Sequence, residues 1–295
     1  MSEAIERFQQ ARAAIEADRP VDIAETFGII DAAAEAGDPE ALLFYGYALG
    51  IGYGCEVQLD RAFEYIYIAD EAGAPDATPQ ADMMNLGGDL AAWIAPRPIQ
   101  YVHEAPRIGM SPGFIDPELC TWLIDRARSL QEVSFVYDPA TGRPVRDAAR
   151  TNTAGTFKLS DLNMPLILIR HRIANTLAVA HADFERTSIF RYEVGQAFTD
   201  HVDYIGPDFT AEIRERGQRP HTFLVYLNES FAGGQTNFLA INKKMRGGVG
   251  DALFWRNVDE NGAPDPLTQH AGDPPTSGEK WLLSQFIRDK AQMPG

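Results

Sequence analysis

The chain has 295 residues, of which 45% are hydrophobic and 23% charged, and its formal net charge is −16. This composition is typical of a soluble globular protein with two domains, or with one large domain and an appendage. No apolar run approaches the roughly 18 residues of a membrane span, and the acidic, amphipathic N-terminus does not resemble a signal peptide. Two cysteines, Cys55 and Cys120, form no disulfide framework, so we expect a protein of the reducing cytoplasm. Because no apolar run is long enough to span a membrane, we expect no association with membranes.

The negative charge is concentrated in the first third of the chain. Residues 1–95 contain 18 acidic residues against four arginines, which gives this segment a net charge of −14. Such a segment repels nucleic acid and anionic lipid, so neither is an expected partner. Two interpretations remain open: a solubilising helical surface, which we favour, and a docking surface for a basic protein partner.

Two similar seven-residue segments, EAGDPEA at 35–41 and EAGAPDA at 71–77, lie 36 residues apart. In each, a glycine stands where one helix would end, and Asp or Pro stands where the next would begin. Paired helices with a period in the thirties are typical of short helical repeats. The stretches GYALGIGYG and DRAFEYIYIADEAG resemble Sel-one-like, tetratricopeptide-related repeats. We therefore expect residues 1–95 to form a small all-α helical-repeat domain.

Residues 96–107 are rich in proline and predict a linker to a second domain over 108–295. The first half of that domain predicts a helix from Pro117, with Asp116 as N-cap, and another over 165–185. Between these helices we expect a long loop over 137–157. Four strands follow, in the segments TSIFRYEV, HTFLVYLN, GDALFW and KWLLSQFI. Helices followed by strands predict an α+β domain whose sheets close into a sandwich or barrel.

The segment FTDHVDYI, residues 198–205, places a histidine and an aspartate two positions apart. In a strand, His201 and Asp203 would point to the same face. His270, in the later segment QHAGDPPTSGEKW, could join them from a paired strand. Two histidines and one carboxylate are the ligand set that suits non-haem Fe(II). Taken alone, His201 and Asp203 are more typical of an ordinary polar strand face than of a metal site, and His270 is compatible with a turn.

The blocks around these residues occur in the order and spacing of a known family. RYEVGQAFTDHVDY, RPHTFLVYLNESFAGGQTNF, GDALFW and QHAGDPPTSGEKW resemble the prolyl 4-hydroxylase branch of the Fe(II)/2-oxoglutarate dioxygenases, over residues 108–291. The resemblance implies a double-stranded β-helix, or jelly roll, with supporting helices. It implies that His201, Asp203 and His270 are the iron ligands and the catalytic centre. The implied cofactors are Fe(II), 2-oxoglutarate and O2, with ascorbate as a reductant.

The resemblance also implies contacts to 2-oxoglutarate. Lys280 would pair with its distal carboxylate, and a lysine entering an apolar barrel does need an anion. The implied hydrogen-bonding hydroxyls are those of Tyr192, Thr222 and Tyr226. The family's Gly-Gly-x-Thr turn is matched by Gly233, Gly234 and Thr236, which implies a backbone role.

The substrate half of the site departs from the family pattern. Phe198 stands where members carry Tyr, Phe286 where they carry Trp, and Arg288 where they carry His, whereas Arg150 matches a family arginine. We expect these four residues to contact the substrate. The resemblance implies hydroxylation of a prolyl residue in a protein or peptide, with succinate and CO2 as coproducts.

Other functions remain open at this stage. Hydroxylation of free proline, another amino acid or a small metabolite is one alternative. A non-catalytic protein that binds through its acidic repeats is a second, and a cupin-type isomerase on a similar barrel is a third. The simultaneous presence of His201, Asp203, His270 and Lys280 disfavours the last two.

Overall fold

The computed structural model describes residues 2–137 and 144–292, and its contacts divide the chain into two compact units. The first unit combines the chain up to Pro96 with the segment Phe157–Ala182, and the second combines Arg97–Thr156 with Asp183–Gln292. The predicted second domain ran without interruption over 108–295. The structure differs from that prediction because Phe157–Ala182 clusters with the N-terminal helices.

Within the described ranges, no helix has the length and apolarity needed to cross a membrane. The α-helices are α1 (Glu3–Glu16), α2 (Ile23–Glu35), α3 (Pro39–Ile51), α4 (Leu59–Glu71), α5 (Ala77–Gly87), α6 (Leu90–Ile94), α7 (Pro117–Arg128), α8 (Met164–Leu177) and α9 (Thr210–Arg216). The strands are β1 (Gln100–His103), β2 (Ile108–Ser111), β3 (Gln131–Val133), β4 (Val136–Tyr137), β5 (Pro144–Val145), β6 (Thr153–Thr156), β7 (Ser188–Tyr192), β8 (Phe198–His201), β9 (His221–Tyr226), β10 (Ala232–Gly233), β11 (Thr236–Phe238), β12 (Lys243–Met245), β13 (Ala252–Arg256), β14 (His270–Gly272), β15 (Pro275–Ser277) and β16 (Lys280–Ile287).

The helix boundaries of the first unit follow the repeated segments of the sequence. Gly37 and Gly73 have φ of +79° and +84°, and they follow α2 and α4 as the repeat predicts. Asp38 caps α3 by accepting a hydrogen bond from Ala41 N at 2.9 Å. Helices α3 and α4 approach closely because Gly46 has no side chain: a Cβ there would lie 3.3 Å from the carbonyl oxygen of Ala62. The predicted helix pair is therefore confirmed.

Helix α8 belongs to this unit and is buried on every side from Met164 to Ala174. A helix that is apolar all round is stable only inside a larger core. Its polar side chains bind carbonyls at the ends of neighbouring helices, where no intrahelical donor is available. Arg172 donates to Trp93 O at 2.7 Å, and His171 Nε2 lies 2.7 Å from Gly50 O. The predicted helix over 165–185 is shorter than expected because Ala178, in the left-handed conformation, ends it.

The second unit contains two larger antiparallel sheets. The eight-stranded sheet has the order β1-β2-β13-β9-β16-β7-β6-β3, and the four-stranded sheet has the order β12-β11-β14-β8. Both sheets contribute to one buried cluster, which includes Phe238 from the small sheet and Tyr192, Tyr226 and Trp255 from the large one. Two sheets that bury their inner faces against each other form the predicted jelly-roll architecture. With its flanking helices, this unit confirms the α+β class.

The four predicted strands are confirmed as β7, β9, β13 and β16. The predicted loop over 137–157 is wrong at its end, because β6 pairs there with both β3 and β7. Because β6 consists of small residues, its sequence shows no apolar pattern that would predict a strand. The small size is required by packing, since a Cβ on Gly155 would lie 2.8 Å from Gln131 Nε2 and 3.1 Å from Ala127 O. Positions 138–143 of the predicted loop lie outside the described residues.

Candidate functional site

The two candidate histidines lie opposite each other on neighbouring strands. β14 pairs antiparallel with β8, and His270 is the register partner of His201. Side chains of directly opposed residues lie on one face of a sheet with Cβ atoms about 4.5–5.5 Å apart. The two ring centroids are 4.2 Å apart. Strand pairing therefore brings together two imidazoles that are distant in sequence, as the sequence predicted.

Asp203 adds a carboxylate to this pair. Its Oδ1 lies 3.6 Å from His201 Nε2, and its Oδ2 lies 3.6 Å from His270 Nε2. One ligand atom from each residue lies within 4.8 Å of the others, and no second group of this kind occurs in residues 2–137 and 144–292. The predicted placement of His201 and Asp203 on one strand is wrong, because β8 ends at His201 and Asp203 lies in a bend. The side chains nevertheless converge.

Main-chain carbonyls fix the orientation of both imidazoles. His201 Nδ1 lies 2.8 Å from Thr199 O, and His270 Nδ1 lies 2.9 Å from Thr268 O. Because a carbonyl only accepts, we assign the proton of each ring to Nδ1, which leaves the Nε2 lone pair facing Asp203. Burial and then the neighbouring His270 lower the pKa of His201 to about 3. The neutral imidazole that a metal ligand requires is thus the stable form at neutral pH.

Asp203 is held as a carboxylate although it is buried. Burial raises its pKa, but the neighbouring imidazoles and the Thr222 hydroxyl offset this and lower the pKa below its ordinary value. Thr222 Oγ1 donates to Asp203 Oδ2 at 2.8 Å. The guanidinium of Arg219 donates to the main-chain oxygen of Asp203 at 3.2 Å. Both the charge and the position of this carboxylate are therefore set by its neighbours.

Lys280 opens β16 and carries its ammonium group into the interior. Its side chain is fully buried, with Nζ donating to Gly234 O at 3.1 Å and lying 4.2 Å from the ring centroid of Tyr192. Burial lowers the pKa of Lys280 to about 7, which Asp273 only partly offsets. Within the described part of the chain, the nearest hydrogen-bond partner is thus an uncharged carbonyl. A buried ammonium in this situation is stabilised by a ligand that brings a carboxylate.

Tyr192 lies beside Lys280, and its hydroxyl reaches β14, the strand that carries His270. It is the register partner of Lys280 across β7 and β16. Its hydroxyl lies 3.4 Å from the point where a Cβ on Gly272 would stand, so that this glycine leaves the hydroxyl accessible from β14. Burial raises the pKa of Tyr192 to about 12, which keeps the phenol protonated and able to donate. Its placement fits the predicted contact to a cosubstrate.

The other two predicted cosubstrate hydroxyls are used inside the protein. The Tyr226 hydroxyl lies 3.2 Å from Thr236 Oγ1 and 3.3 Å from Met245 O. Thr222 Oγ1 gives its hydrogen to Asp203, as described above, and accepts from Asn257 Nδ2 at 2.9 Å. In the structure, the hydrogen-bond partners of Thr222 Oγ1 are therefore the Asp203 carboxylate and Asn257, and its predicted contact to a cosubstrate stays a prediction.

A glycine turn shapes the surroundings of Lys280. Gly233 and Gly234 have φ of +70° and +66°, which other L-residues rarely adopt. A Cβ on Gly234 would lie 2.9 Å from the Phe231 ring and 3.3 Å from Lys280 Cδ. The turn therefore needs glycine for its backbone conformation and for the close passage of the lysine side chain. This agrees with the backbone role predicted for the turn.

Two of the four predicted substrate contacts lie beside His201. The rings of Phe198 and His201 stack with centroids 3.5 Å apart and an interplanar angle of 13°. The guanidinium of Arg150 lies 4.6 Å from the Phe198 ring centroid and 4.9 Å from that of Phe190. His201 is the most exposed of the three candidate ligands, at 17% of its side chain. An aromatic ring and a guanidinium therefore line the accessible side of the group.

The other two predicted substrate contacts have internal partners. Arg288 has a fully buried side chain and donates to Gly217 O at 2.7 Å, to Glu212 at 2.6 Å and to Glu185. The predicted substrate contact of Arg288 is therefore not what the structure shows. Phe286 is covered by the guanidinium of Arg219, whose centre lies 4.1 Å from the ring centroid.

Glu185 joins two arginines behind the site. It accepts from Arg219 at 2.7 and 3.0 Å and also pairs with Arg288. Burial alone would raise the pKa of Glu185, but Arg219 and then Arg288 lower it to about 2. This carboxylate is therefore ionised throughout the physiological range, and it fixes the guanidinium that reaches the main chain of Asp203.

The residues present fit the groups that the sequence implied. Two imidazoles and one carboxylate match the ligand set of non-haem Fe(II), which leaves positions open for other ligands. Lys280 and Tyr192 offer a cation and a hydroxyl to the far end of a dicarboxylate, and they lie on strands of the same unit.

Sequence comparisons define the class. Residues 187–288 match the family model of the 2OG-Fe(II) oxygenase superfamily. Prolyl 4-hydroxylase 1 of Arabidopsis thaliana is 32% identical over 206 residues, which cover 65% of this chain and 72% of the relative. Probable prolyl 4-hydroxylase 3 of the same plant is 30% identical over 201 residues, covering 62% and 69% respectively.

One solved structure is the viral collagen prolyl hydroxylase of Paramecium Bursaria Chlorella virus-1 in its 2OG complex. It is 25% identical, with a TM-score of 0.48, and the alignment covers 61% of this chain and 94% of that one. From the sequence relatives, the chain belongs to the 2OG-Fe(II) oxygenase superfamily, in its prolyl 4-hydroxylase-like group. It is an oxidoreductase of the dioxygenase type, with Fe(II) and 2-oxoglutarate as cofactors.

Sequence reasoning missed part of the site. The carbonyls of Thr199 and Thr268 orient the two histidines through the main chain, which leaves no signal in the side-chain pattern. Asn257 and Glu185 were also missed, since each acts through a neighbour and not on a ligand. The one available signal is the position of Asn257 two residues after the strand segment GDALFW, where a buried polar residue needs a partner.

Proposed function

We propose that this protein hydroxylates a prolyl residue in a protein or peptide and releases succinate and CO2. The observation that carries the proposal is the convergence of His201, Asp203 and His270 in a unit that also buries Lys280. The sequence relatives support the substrate class, since they are prolyl 4-hydroxylases by name.

In this proposal His201, Asp203 and His270 would hold the iron, and Lys280 would pair with the distal carboxylate of 2-oxoglutarate, beside the Tyr192 hydroxyl. Bound iron supplies the activation of O2 that oxidation of an unreactive C–H bond requires. The protein keeps the His201 imidazole neutral and Asp203 ionised. Trp255 and Phe238 pack against the His270 ring, at 4.8 and 5.6 Å between centroids, and exclude water from that side.

The substrate would approach from the side of His201. Phe198 presents an apolar ring there, suited to the ring of a proline, and the guanidinium of Arg150 packs against that ring. We assign both residues to substrate binding in this proposal. Phe286 and Arg288 are not assigned to it, because their contacts are internal.

Further parts of the proposal rest on the sequence. We place the protein in the cytoplasm, with ascorbate as reductant, and we assign the first unit to Sel-one-like repeats. Its acidic surface is either solubilising, which we favour, or a docking site for a basic protein partner.

Two measurements test the proposed function. Anaerobic titration of the protein with Fe(II) and 2-oxoglutarate should produce the weak visible charge-transfer band of the ternary complex. Succinate release should then depend on a proline-containing peptide and be absent with free proline. His201→Ala should abolish both the band and turnover. The matched variant His103→Ala, on β1 and outside the site, should leave both within a few-fold of wild type.

Other results would change the proposed substrate or overturn the proposed iron site. Succinate release that depends on free proline or another small metabolite, and not on peptides, would replace the substrate class. Failure of the wild-type protein to bind Fe(II), or full activity of His201→Ala, would overturn the iron assignment itself.

A further inference from the structure

Asp203 stands at the end of a chain of hydrogen bonds that begins at Asn257. The side chain of Asn257 is fully buried, directly after β13, and its Nδ2 donates to Thr222 Oγ1 at 2.9 Å and to Arg219 O at 3.2 Å. Thr222 Oγ1 in turn donates to Asp203 Oδ2 at 2.8 Å. Two buried side chains, those of Asn257 and Thr222, thus connect the large sheet to the carboxylate.

The donor-to-acceptor direction of these hydrogen bonds is fixed by the groups at the two ends of the series, which can only accept. The main-chain oxygen of Arg219 only accepts, so the amide atom of Asn257 that faces it is the nitrogen. The same nitrogen faces Thr222, whose hydroxyl therefore accepts from the amide. Its single hydrogen is then left for Asp203, which also only accepts when ionised. Every donor in the chain points toward the carboxylate.

Asp203 needs such support more than the two histidines do. His201 and His270 lie on paired strands, which set their positions through the sheet. Asp203 lies in a bend beyond the end of β8, outside the paired strands. Thr222, by contrast, lies on β9 in the middle of the eight-stranded sheet and is 1% exposed. The hydrogen bonds therefore hold Asp203, which lies on irregular backbone, in a fixed position relative to the central strand β9.

Asn257 supports Asp203 by a second route as well. The carbonyl of Arg219 accepts from Asn257, while the guanidinium of the same residue donates to the main-chain oxygen of Asp203. Both the side chain and the backbone of Asp203 thus connect to one buried amide.

We infer that Thr222 is a positioning residue that orients Asp203 as a metal ligand, and that Asn257 positions Thr222. Neither side chain contacts 2-oxoglutarate. The inference rests on the proposed function, in which Asp203 holds the iron. It assigns Thr222 a role different from the cosubstrate contact that family resemblance implied.

The test compares metal affinity with cosubstrate affinity in variants of the full chain. Thr222→Val keeps the shape of the side chain and removes the hydroxyl hydrogen. Loss of such a supporting hydrogen bond weakens metal binding about 10- to 100-fold. We expect that loss in an anaerobic Fe(II) titration of the metal-free protein, with the KM for 2-oxoglutarate unchanged at saturating Fe(II). Thr222→Ser restores the hydroxyl and should restore metal affinity.

A double-mutant cycle tests the role of Asn257. Asn257→Ala should weaken Fe(II) binding less than Thr222→Val does. Because Asn257 acts on the carboxylate side chain through Thr222 and on the main chain of Asp203 through Arg219, the losses in the double variant should add only in part. A double variant whose losses add in full would overturn the relay from Asn257 through Thr222.

Thr187→Val is the matched control for a general loss of stability. Thr187 is also fully buried in the same unit and donates to Gln285 at 2.6 Å, away from Asp203. Both Thr→Val variants should lower the melting temperature by a similar amount, and only Thr222→Val should lower Fe(II) affinity.

The outcomes separate this inference from the proposed function. A wild-type protein that binds Fe(II), with Thr222→Val binding it equally well, would overturn the inference alone. A rise in the KM for 2-oxoglutarate with unchanged metal affinity would also overturn it and would restore Thr222 as a cosubstrate contact. A wild-type protein that takes up no Fe(II) would overturn both.

Discussion

Lys280 holds a positive charge in the interior, and this costs stability in the ligand-free protein. Burial lowers its pKa from 10.5 to about 7, so the folded state binds the proton more weakly than the unfolded chain does. Between these values the unfolded state carries more protons, and the free energy of unfolding therefore rises with pH from about 7 to 10.5. A carboxylate placed beside Nζ would reverse the effect by favouring the charged form.

Lys280→Met should therefore separate stability from cosubstrate binding. The variant removes a buried charge and keeps much of the apolar volume, so we expect a higher melting temperature near pH 7 in the absence of 2-oxoglutarate. Its stability should no longer increase between pH 7 and 10.5. Loss of a buried charge partner costs about 3–5 kcal/mol, so the KM for 2-oxoglutarate should rise a hundredfold or more. Thermal unfolding at several pH values, with and without 2-oxoglutarate, measures the effects on stability, and steady-state kinetics measures the KM.

Lys244→Met provides the control for this experiment. Lys244 is also a lysine of the second unit, but it is 57% exposed and pairs with Asp273 at the surface. Its replacement should change stability by less than about 0.5 kcal/mol and leave the KM for 2-oxoglutarate unchanged. An unchanged KM in Lys280→Met would place the carboxylate clamp elsewhere.

Single residues could be predicted from the sequence where the side chain itself carries the chemistry. His201, Asp203, His270 and Lys280 are residue types whose combination has few other uses, and the structure brings the first three together. Asn257 could not be predicted, because an amide is recognised as a support only when its partners are known.

For Arg288, the family pattern predicted a contact that the structure does not show. Its position in the family pattern implied a substrate contact, but whether a guanidinium meets the substrate or a carboxylate depends on Glu185 and Glu212. Those residues are distant in sequence, and nothing in the local pattern pairs them with Arg288.

At the scale of elements, regular strands were predictable and short ones were not. β16 is an eight-residue strand with the apolar pairs Leu282–Leu283 and Phe286–Ile287, and it is preceded by turn residues, while its neighbours β7 and β9 are rich in apolar and aromatic residues. β6 contains only Thr, Ala and Gly, so its pairing with β3 and β7 is decided by tertiary contacts. The bend at Asp203 was missed for a related reason: alternation predicts a face, but not where pairing stops.

The turn at Gly233 and Gly234 supports a prediction at this scale. Gly234→Ala adds a methyl group in a left-handed conformation, 2.9 Å from Phe231 and 3.3 Å from Lys280 Cδ. We expect lower stability and a raised KM for 2-oxoglutarate, since the Lys280 side chain must move. Chemical denaturation and steady-state kinetics measure the two effects.

Gly262→Ala is the control that measures the cost in stability of the left-handed backbone conformation alone. Gly262 has φ of +81°, and no heavy atom of the described residues beyond its chain neighbours lies within 4 Å of the point where a Cβ would stand. Its replacement therefore costs only the left-handed strain of about 1–2 kcal/mol. It should leave the KM unchanged. If both variants behave alike in kinetics, contact with the lysine is not what requires glycine at 234.

At the scale of the whole molecule, two separate segments of the chain form the first unit. The sequence predicted a break near residue 96 and one continuous domain beyond it, whereas Phe157–Ala182 belongs with the N-terminal helices. The sequence did contain a signal: α8 is apolar nearly all round, from Met164 to Ile169 without interruption. The four-residue spacing of Ile169, Ile173 and Leu177 predicts only one buried face, and a single face does not require the N-terminal helices as partners.

Removal of residues 1–96 should therefore fail to give an independent oxygenase. The deletion would expose the apolar surface of α8, where burial of each Leu or Ile side chain contributes about 1.5–3 kcal/mol. It would also leave the buried guanidinium of Arg172 without the carbonyls of Ala92 and Trp93. We expect an aggregating protein with reduced helicity by circular dichroism.

Gly50→Val tests the same packing in the full chain. A Cβ on Gly50 would already lie 3.0 Å from Ile167 Cγ2, so the larger side chain should force α3 away from α8 and lower the melting temperature. Ile167→Ala removes the opposing atoms and should recover part of the loss when the two changes are combined. A soluble fragment lacking residues 1–96 that binds Fe(II) as tightly as the full chain would show that α8 does not need the N-terminal helices. Together with an unaffected Gly50→Val variant, it would restore the continuous domain that the sequence predicted.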